Sequence, residues 1–397
     1  MDTKYDIIIA GSGISGMSLA YYCANINLKV LVLEKNDVIG GCFTTERTSD
    51  YWLELGAHTM YNSYAELIAI IEGCGMTNRI INRKKVPYKV YRNEKIQSVL
   101  SQFNIFELLV SVPSLFRLKK NNQTVESYYS RIVGRKNYNK FFQYMFNAVP
   151  SQPTNEFPAD ILFKKRTRRK DILKSFTLRQ GIKSVIDVIS ERPGIDILAG
   201  KAVSSMTRKK DAYVVTLDNN QSFESKFIAL ATPVNITAVL IKDLIPDLSP
   251  LLNRIDFVST DSVGVVIKKE SINFKEVAGI IGIDTVIYSI VSRDVVEDEK
   301  YRGFVFHFKP GVLKEKDKID FICMVLKISE NDLTHIFYKQ NIVPSFKLEH
   351  HTIINSIDEI LKNDRVFLTG NYFTGMAIED CVNRSKDESI RLQKFRK

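Results

Sequence analysis

The sequence predicts an α/β fold around a parallel sheet, with a second, α+β domain inserted into it, on three observations. The first is residues 5–34: a short apolar run, a glycine-rich turn, a stretch of helical spacing, and a second apolar run that ends in a carboxylate. The second is the pair Gly40-Gly41, followed by Gly56-Ala57-His58. The third is residues 365–378, where an apolar run again leads through glycines towards a helix. A chain of 397 residues exceeds one ordinary domain. It divides into a first domain of residues 1–85, 181–235 and 360–397 and a second of residues 86–180 and 236–359.

Taken in order, Tyr5–Ala10 is long and apolar enough for a buried parallel strand. Gly11, Gly13 and Gly16 follow, with Ser12, Ile14 and Ser15 between them. This is the spacing of a Rossmann-type dinucleotide site. The first glycine allows the tight turn, the second lets backbone approach a pyrophosphate, and the third lets helix and strand pack closely. The helix opening at Ile14 offers unpaired N–H groups to phosphates. Residues 29–34 form the second strand; Glu34 at its end can accept from a ribose 2′-hydroxyl, and Lys35 follows. Gly40 and Gly41 let backbone pass close to a bulky ligand. A nicotinamide dehydrogenase has no special use for that second pair, whereas a long flavin dinucleotide does.

Composition bounds the rest. An apolar content of 45% fits a globular protein with sizeable cores. The net charge of +11 points to an anionic partner: an acidic substrate, a membrane surface or nucleic acid. Nucleic acid is the least favoured, because a dinucleotide-binding core accounts for most of the chain. Five scattered cysteines without a C-x-x-C pair fit free thiols in a reducing compartment. The chain enters its first strand at once, leaving no room for a signal peptide, and holds no run of about twenty apolar residues. These features predict a cytoplasmic protein.

Residues 64–75 have helical spacing, and 86–91 and 96–100 read as two short strands. Residues 103–118 are rich in large apolar side chains and precede Lys119-Lys120. Pro113 interrupts the segment, which favours core or the cover of a substrate cavity. A peripheral membrane contact is the alternative. Thr124 is a candidate helix cap, and 138–146 are unusually aromatic. The basic residues of 164–170 read as a solvated loop, with contact to substrate carboxylates or lipid as the alternative. A helix is expected to lead from 178 through Gly181, then strands at 213–217 and 227–230, the latter leaving its sheet at Ala231-Thr232-Pro233. Residues 259–269 form a strand of the second domain. His350-His351 lack the further ligands of a metal site, so no metal is expected.

Glu34, Gly40-Gly41 and Leu55-Gly56-Ala57-His58 together resemble the flavin amine oxidase superfamily, closest to its protoporphyrinogen oxidase-like members. The run Gly370-Asn371 … Gly375 … Asp380-Cys381-Val382 is similar to the ending of those porphyrinogen oxidases. Cys42 stands where the family usually has arginine. The resemblance implies non-covalent FAD. The glycine loop, Glu34-Lys35 and Gly40–Cys42 would hold it first. Gly56-Ala57-His58, Val203, Ala231-Thr232-Pro233, Gly370-Asn371 and Gly375-Met376-Ala377-Ile378 complete the implied set. His58 lies near the flavin in this reading and is the candidate catalytic residue, set against a histidine that merely packs. Gly264 falls where amine oxidases carry a lysine, which disfavours amine oxidation. The implied activity is hydride removal by an FAD-dependent oxidoreductase from a small, acidic, conjugated, porphyrinogen-like substrate. An amine oxidase or desaturase of a specialised pathway, and a non-redox flavin sugar mutase, are the alternatives.

Overall fold

The structure is a computed structural model and describes residues 5–111, 113–114 and 118–396. Its first sheet is centred on Tyr5–Ala10, which pairs in parallel with Val30–Leu33 on one side and Ser222–Leu230 on the other. Ile195–Leu198 extends the sheet beyond Val30–Leu33, and Val366–Leu368 pairs in parallel with the end of Ser222–Leu230. Val203–Arg208 and Tyr213–Leu217 add an antiparallel meander. The unbroken apolar runs of the central strands follow from burial on both faces. Ile7, Ile9, Val30 and Val32 face one core with the helices Ile14–Asn25 and Ala65–Gly73, while Ile8, Ala10, Leu31 and Leu33 face a second core with Ile241 and Ile357.

A second, mainly antiparallel sheet runs in the order Leu333–Ser345, Asp256–Lys268, Tyr301–Phe308, Ile287–Ser292, Gly279–Gly282, Tyr88–Arg92, Lys95–Ser98. Phe304, Phe306 and Phe308 pack it against the helix Glu315–Leu326. Its other face meets the hairpin of Thr45–Arg47 and Trp52–Glu54 through Val266, Val305, Leu53 and Leu55. That contact explains Gly264. A Cβ there would stand 2.4 Å from Leu55 Cδ2 and 3.0 Å from Leu53 Cδ2. The hairpin seats on bare backbone, and a lysine has no room.

A helical layer completes the fold. It comprises Ile105–Ser111, Val125–Val133, Arg135–Asn137, a π turn at Tyr138–Phe142 and Gln143–Ala148, packed around Val125, Tyr138, Phe146 and Phe157. Thr124 caps as expected, its hydroxyl accepting from Ser127 N at 3.1 Å.

Three local expectations are corrected. Ser175–Leu178 is a strand paired with Ile80–Asn82 and Met60–Tyr61, and the helix begins only at Ser184. The basic run is not a free loop throughout, since Lys164 Nζ and Arg166 Nη2 reach Asp380 Oδ1 at 3.1 and 2.7 Å. Within 103–118, residues 112 and 115–117 lie outside the described residues, and Ile105–Ser111 turns most of its large apolar side chains to solvent rather than into a core. Its polar side chains are the ones tied down: Glu107 accepts from Lys136 N at 3.0 Å and Asn137 N at 3.1 Å.

Replacing Gly264 by lysine forces the hairpin off the sheet. The expected outcome is a loss of at least about 2 kcal/mol in chemical denaturation, with no gain of amine oxidation.

Candidate cofactor and active site

The cofactor half is built from backbone that passes backbone. At Gly11 (φ +104°) a Cβ would lie 2.7 Å from the Ala231 carbonyl oxygen, so the turn after Tyr5–Ala10 and the Ala231-Thr232-Pro233 exit are in contact. At Gly16 a Cβ would stand 1.9 Å from Gly11 O, which fixes helix Ile14–Asn25 against the turn. Gly41 (φ +57°) would place a Cβ 3.1 Å from the Gly13 Cα, so the two glycine loops face each other bare. Ser12 ties them. Its hydroxyl donates to Glu34 Oε2 at 2.6 Å and accepts from Gly40 N at 3.3 Å, while Ser12 N donates to the same Glu34 oxygen. Asn36 N and Nδ2 donate to Glu34 Oε1 at 3.0 and 3.1 Å. Asn36 is exposed, so its side-chain amide is the contact a ribose hydroxyl would replace. Lys201 N donates to Glu34 O, which brings the start of Val203–Arg208 to the same place. Lys35 points to solvent.

Two helix N-termini border this region. Ile14–Asn25 has Gly13 at its cap, no side-chain cap and no acid in its first turn. Ile378–Gln393 has Ala377 at its cap and likewise no side-chain cap. Its two first-turn acids are used elsewhere: Glu379 accepts from Glu66 N and Leu67 N at 2.9 and 3.1 Å, and Asp380 is held by Lys164 and Arg166. Both helices therefore present unpaired N–H groups to an anion or a polarised carbonyl edge. Ser385 locks them together, donating to Ser15 O at 2.7 Å and bonding Thr369 Oγ1 at 2.8 Å. A bare-backbone cradle, a carboxylate at the end of the second strand and two free helix N-termini fit an extended FAD. Gly11–Gly16, Glu34, Gly40–Cys42, Ala231–Pro233 and Gly370–Ile378 would hold it. Cys381 packs in the core, where burial pushes its thiol up to about 12.

His58 lies where the hairpin, the second sheet and the Gly56-Ala57 turn meet. Its Nδ1 sits 3.2 Å from Gly56 O, in place to donate to it. It lines a cavity with Arg83, Thr177, Arg293 and Glu54. Arg83 Nη1 donates to Thr59 Oγ1 and makes no ion pair among the described residues. The Thr177 hydroxyl is buried without a hydrogen-bond partner. Burial, then the Arg83 charge, lowers the His58 pKa to about 4. Burial raises Glu54 to about 7, against hydrogen bonds from Thr45 and Ile182 N.

The second sheet contributes a polar row absent from the sequence expectations. Lys339, Ser262, His307 and Ser289 are register partners across four adjacent strands, and so share a face. It is the face that meets Leu55, because Asn341, two residues beyond Lys339, donates from Nδ2 to Leu55 O at 3.5 Å. His307 Nδ1 and Ser262 Oγ are 2.9 Å apart, and burial, then His58, lowers His307 to about 3. Lys339 is close enough to Cys42 for its charge to oppose the upward pull of burial on that thiol. Arg83 carried no motif. The row is visible only through strand register, which the local sequence does not contain.

Comparison with known proteins adds the wider context. Residues 14–278 match the family model described as flavin containing amine oxidoreductase. A probable flavin-containing monoamine oxidase A of Dictyostelium discoideum is 28% identical over 128 residues, which are 30% of this chain and 27% of that protein. The match thus spans about a quarter of that relative's length. The chloroplastic protoporphyrinogen oxidase of Nicotiana tabacum is 19% identical over 99% of this chain and 86% of its own. A crystal structure from Exiguobacterium sp. 255-15, provisionally assigned as a protoporphyrinogen oxidase, superposes with a TM-score of 0.81 at 16% identity, over 98% of this chain and 99% of the other. That likeness shows a shared fold.

Three buried histidines set an acid limit. Burial lowers His350 as well, to about 4, and its Nε2 lies 2.8 Å from Phe373 O. An unfolded histidine titrates near 6.5. Below 6.5 each of these three histidines binds more proton in the unfolded chain than in the folded one, while Glu54, raised to about 7, works in the opposite sense. The stability that neutral His58, His307 and His350 contribute is therefore complete above 6.5 and lost as pH falls towards 4. Thermal unfolding is expected at lower temperature at about pH 5 than at about pH 7.5, with a shallower dependence in His307→Asn.

Proposed function

The chain belongs to the family of flavin containing amine oxidoreductases, and from that premise we propose that it is an FAD-dependent oxidoreductase removing a hydride from an anionic, conjugated organic substrate. Its cofactor is FAD. When bound, FAD supplies a two-electron acceptor, and the protein supplies position, electrostatics and exclusion of water.

The single observation behind the anionic substrate is Arg83. It faces the cavity beside His58 with one hydroxyl, that of Thr59, as its hydrogen-bond partner and no carboxylate among the described residues. Burial pulls its pKa down, so the folded chain bears the cost of a desolvated cation. A substrate carboxylate supplies the missing counter-charge and the bidentate geometry that guanidinium favours. Arg293 lines the same cavity, flanked by Tyr51 and Trp52 at 4.3 Å from each ring and 3.6 Å from Asp298. It widens the positive wall.

His58 is neutral near pH 7, its Nδ1 directed at Gly56 O, which leaves Nε2 as an acceptor. In this reading His58 takes a hydrogen bond from the substrate and orients it. The porphyrinogen-like class fits the reading best, being acidic and conjugated. Gly264, closed off by Leu53 and Leu55, supports a reaction other than amine oxidation.

Anaerobic mixing of the yellow protein with porphyrinogens, amines and polyenes tests the proposal through bleaching of the flavin band. Bleaching by a carboxylated porphyrinogen, with none by amines, is the expected result. Bleaching by amines alone, or no bleaching without a nucleotide sugar, contradicts it. Arg83→Ala is expected to raise KM for the carboxylated substrate roughly 10- to 100-fold, the weight of a charged hydrogen bond. Flavin content and kcat should be little changed.

A further inference from the structure

Helix Ile105–Ser111 carries its large apolar residues away from the protein. Ile105, Phe106, Leu109 and Val110 are 59%, 75%, 65% and 65% exposed. They stand at i, i+1, i+4 and i+5, which is one side of a helix. Leu100, in the turn before, is 69% exposed. Leu108 turns inward, against the cluster of Val125, Val133, Tyr138 and Phe146. The outward face is held there by polar contacts on the inner side. Glu107 accepts from Lys136 N and Asn137 N, Asn104 N donates to Asn137 Oδ1 at 2.6 Å, and Asn137 Nδ2 donates to Asn104 O at 2.8 Å.

A basic collar flanks this apolar tip: Arg131, Arg135 and Lys136 stand on helices Val125–Val133 and Arg135–Asn137, both packed against Ile105–Ser111. Lys119, Arg131, Arg135, Lys136 and Lys140 are all exposed, and none makes an ion pair among the described residues. Lys136 is bonded through its backbone to Glu107, and Arg131 lies on the helix packed beside Ile105–Ser111. The carboxylate of the tip, Glu107, is spent on two backbone amides and does not neutralise the collar.

We propose that this face docks the protein on an anionic lipid surface. The side chains of Ile105, Phe106, Leu109 and Val110 enter the acyl boundary, and the basic collar meets the head groups. An apolar face flanked by cations that make no ion pair among the described residues satisfies both parts of interfacial binding. A second copy seated on the same face would bring two such collars together and be repelled. One apolar cluster connects the docked helix to the cofactor half: it receives Leu108 and also Met376, next to the cap of helix Ile378–Gln393. A substrate held in the lipid phase would thus arrive over the layer that leads to the candidate site.

Sedimentation of the full flavin-loaded chain with phosphatidylcholine vesicles, with and without phosphatidylglycerol, tests this. Binding roughly ten-fold or more tighter to the anionic vesicles, and weakened by salt, is expected. Phe106→Ser with Leu109→Ser should cost at least about ten-fold in binding, with flavin content and melting temperature unchanged. Arg135→Gln with Lys136→Gln should remove much of the anionic preference and flatten the salt dependence. Three outcomes overturn the proposal: no sedimentation with either vesicle, full binding by the serine double variant, or a dimer in solution that the serine double variant abolishes.

Discussion

The close approach of backbone to backbone at Gly11, Gly13, Gly16 and Gly41 is the constraint on which the rest of the cofactor half depends. An added methyl group would stand 1.9 Å from a backbone oxygen at Gly16 and 2.7 Å from one at Gly11, which leaves no alternative residue at those two positions. These contacts bring the turn, the first helix, the second glycine loop and the Ala231-Thr232-Pro233 exit together at the carboxyl ends of the parallel strands. Ser12 then links the second glycine loop to the acid at the end of the second strand, and Ser385 links the first helix to the last. Segments far apart in sequence converge because small residues let them, and hydroxyl groups then hold them in place.

Charge is handled with similar economy. Where an acid would spoil a helix N-terminus, it is occupied: Glu379 caps the neighbouring helix Ala65–Gly73, and Asp380 is matched by Lys164 and Arg166. Where a cation is left without a carboxylate among the described residues, at Arg83 and Lys339, it lies beside the region where the hairpin, the second sheet and the cofactor loops meet. The histidines there are kept neutral by burial. The site thus combines apolar walls, neutral acceptors and positive charge, the features on which the proposed substrate class rests.

The parallel strands, the glycine loop, Glu34 and the C-terminal strand, turn and helix were legible because each requirement is local: an apolar run, a positive φ, a carboxylate at a strand end. The cap at Thr124 was legible for the same reason. What escaped depends on distant partners. Lys164 and Arg166 read as solvated because Asp380 lies more than two hundred residues further on. The row Lys339, Ser262, His307 and Ser289 exists only through the register of four strands. Residues 105–110 show the limit of periodicity most clearly. The spacing says which side chains share a face, but Asn104, Glu107 and Asn137 decide that this face points outward.

Cofactor content measures the central claim most directly. Purified protein, supplied with FAD and freed of excess by gel filtration, is denatured, and the released flavin is identified and quantified against the chain. The account predicts FAD at about one per chain, released without proteolysis because the attachment is non-covalent. A folded but colourless protein that retains no FAD, or one that takes up a nicotinamide dinucleotide in its place, would contradict it.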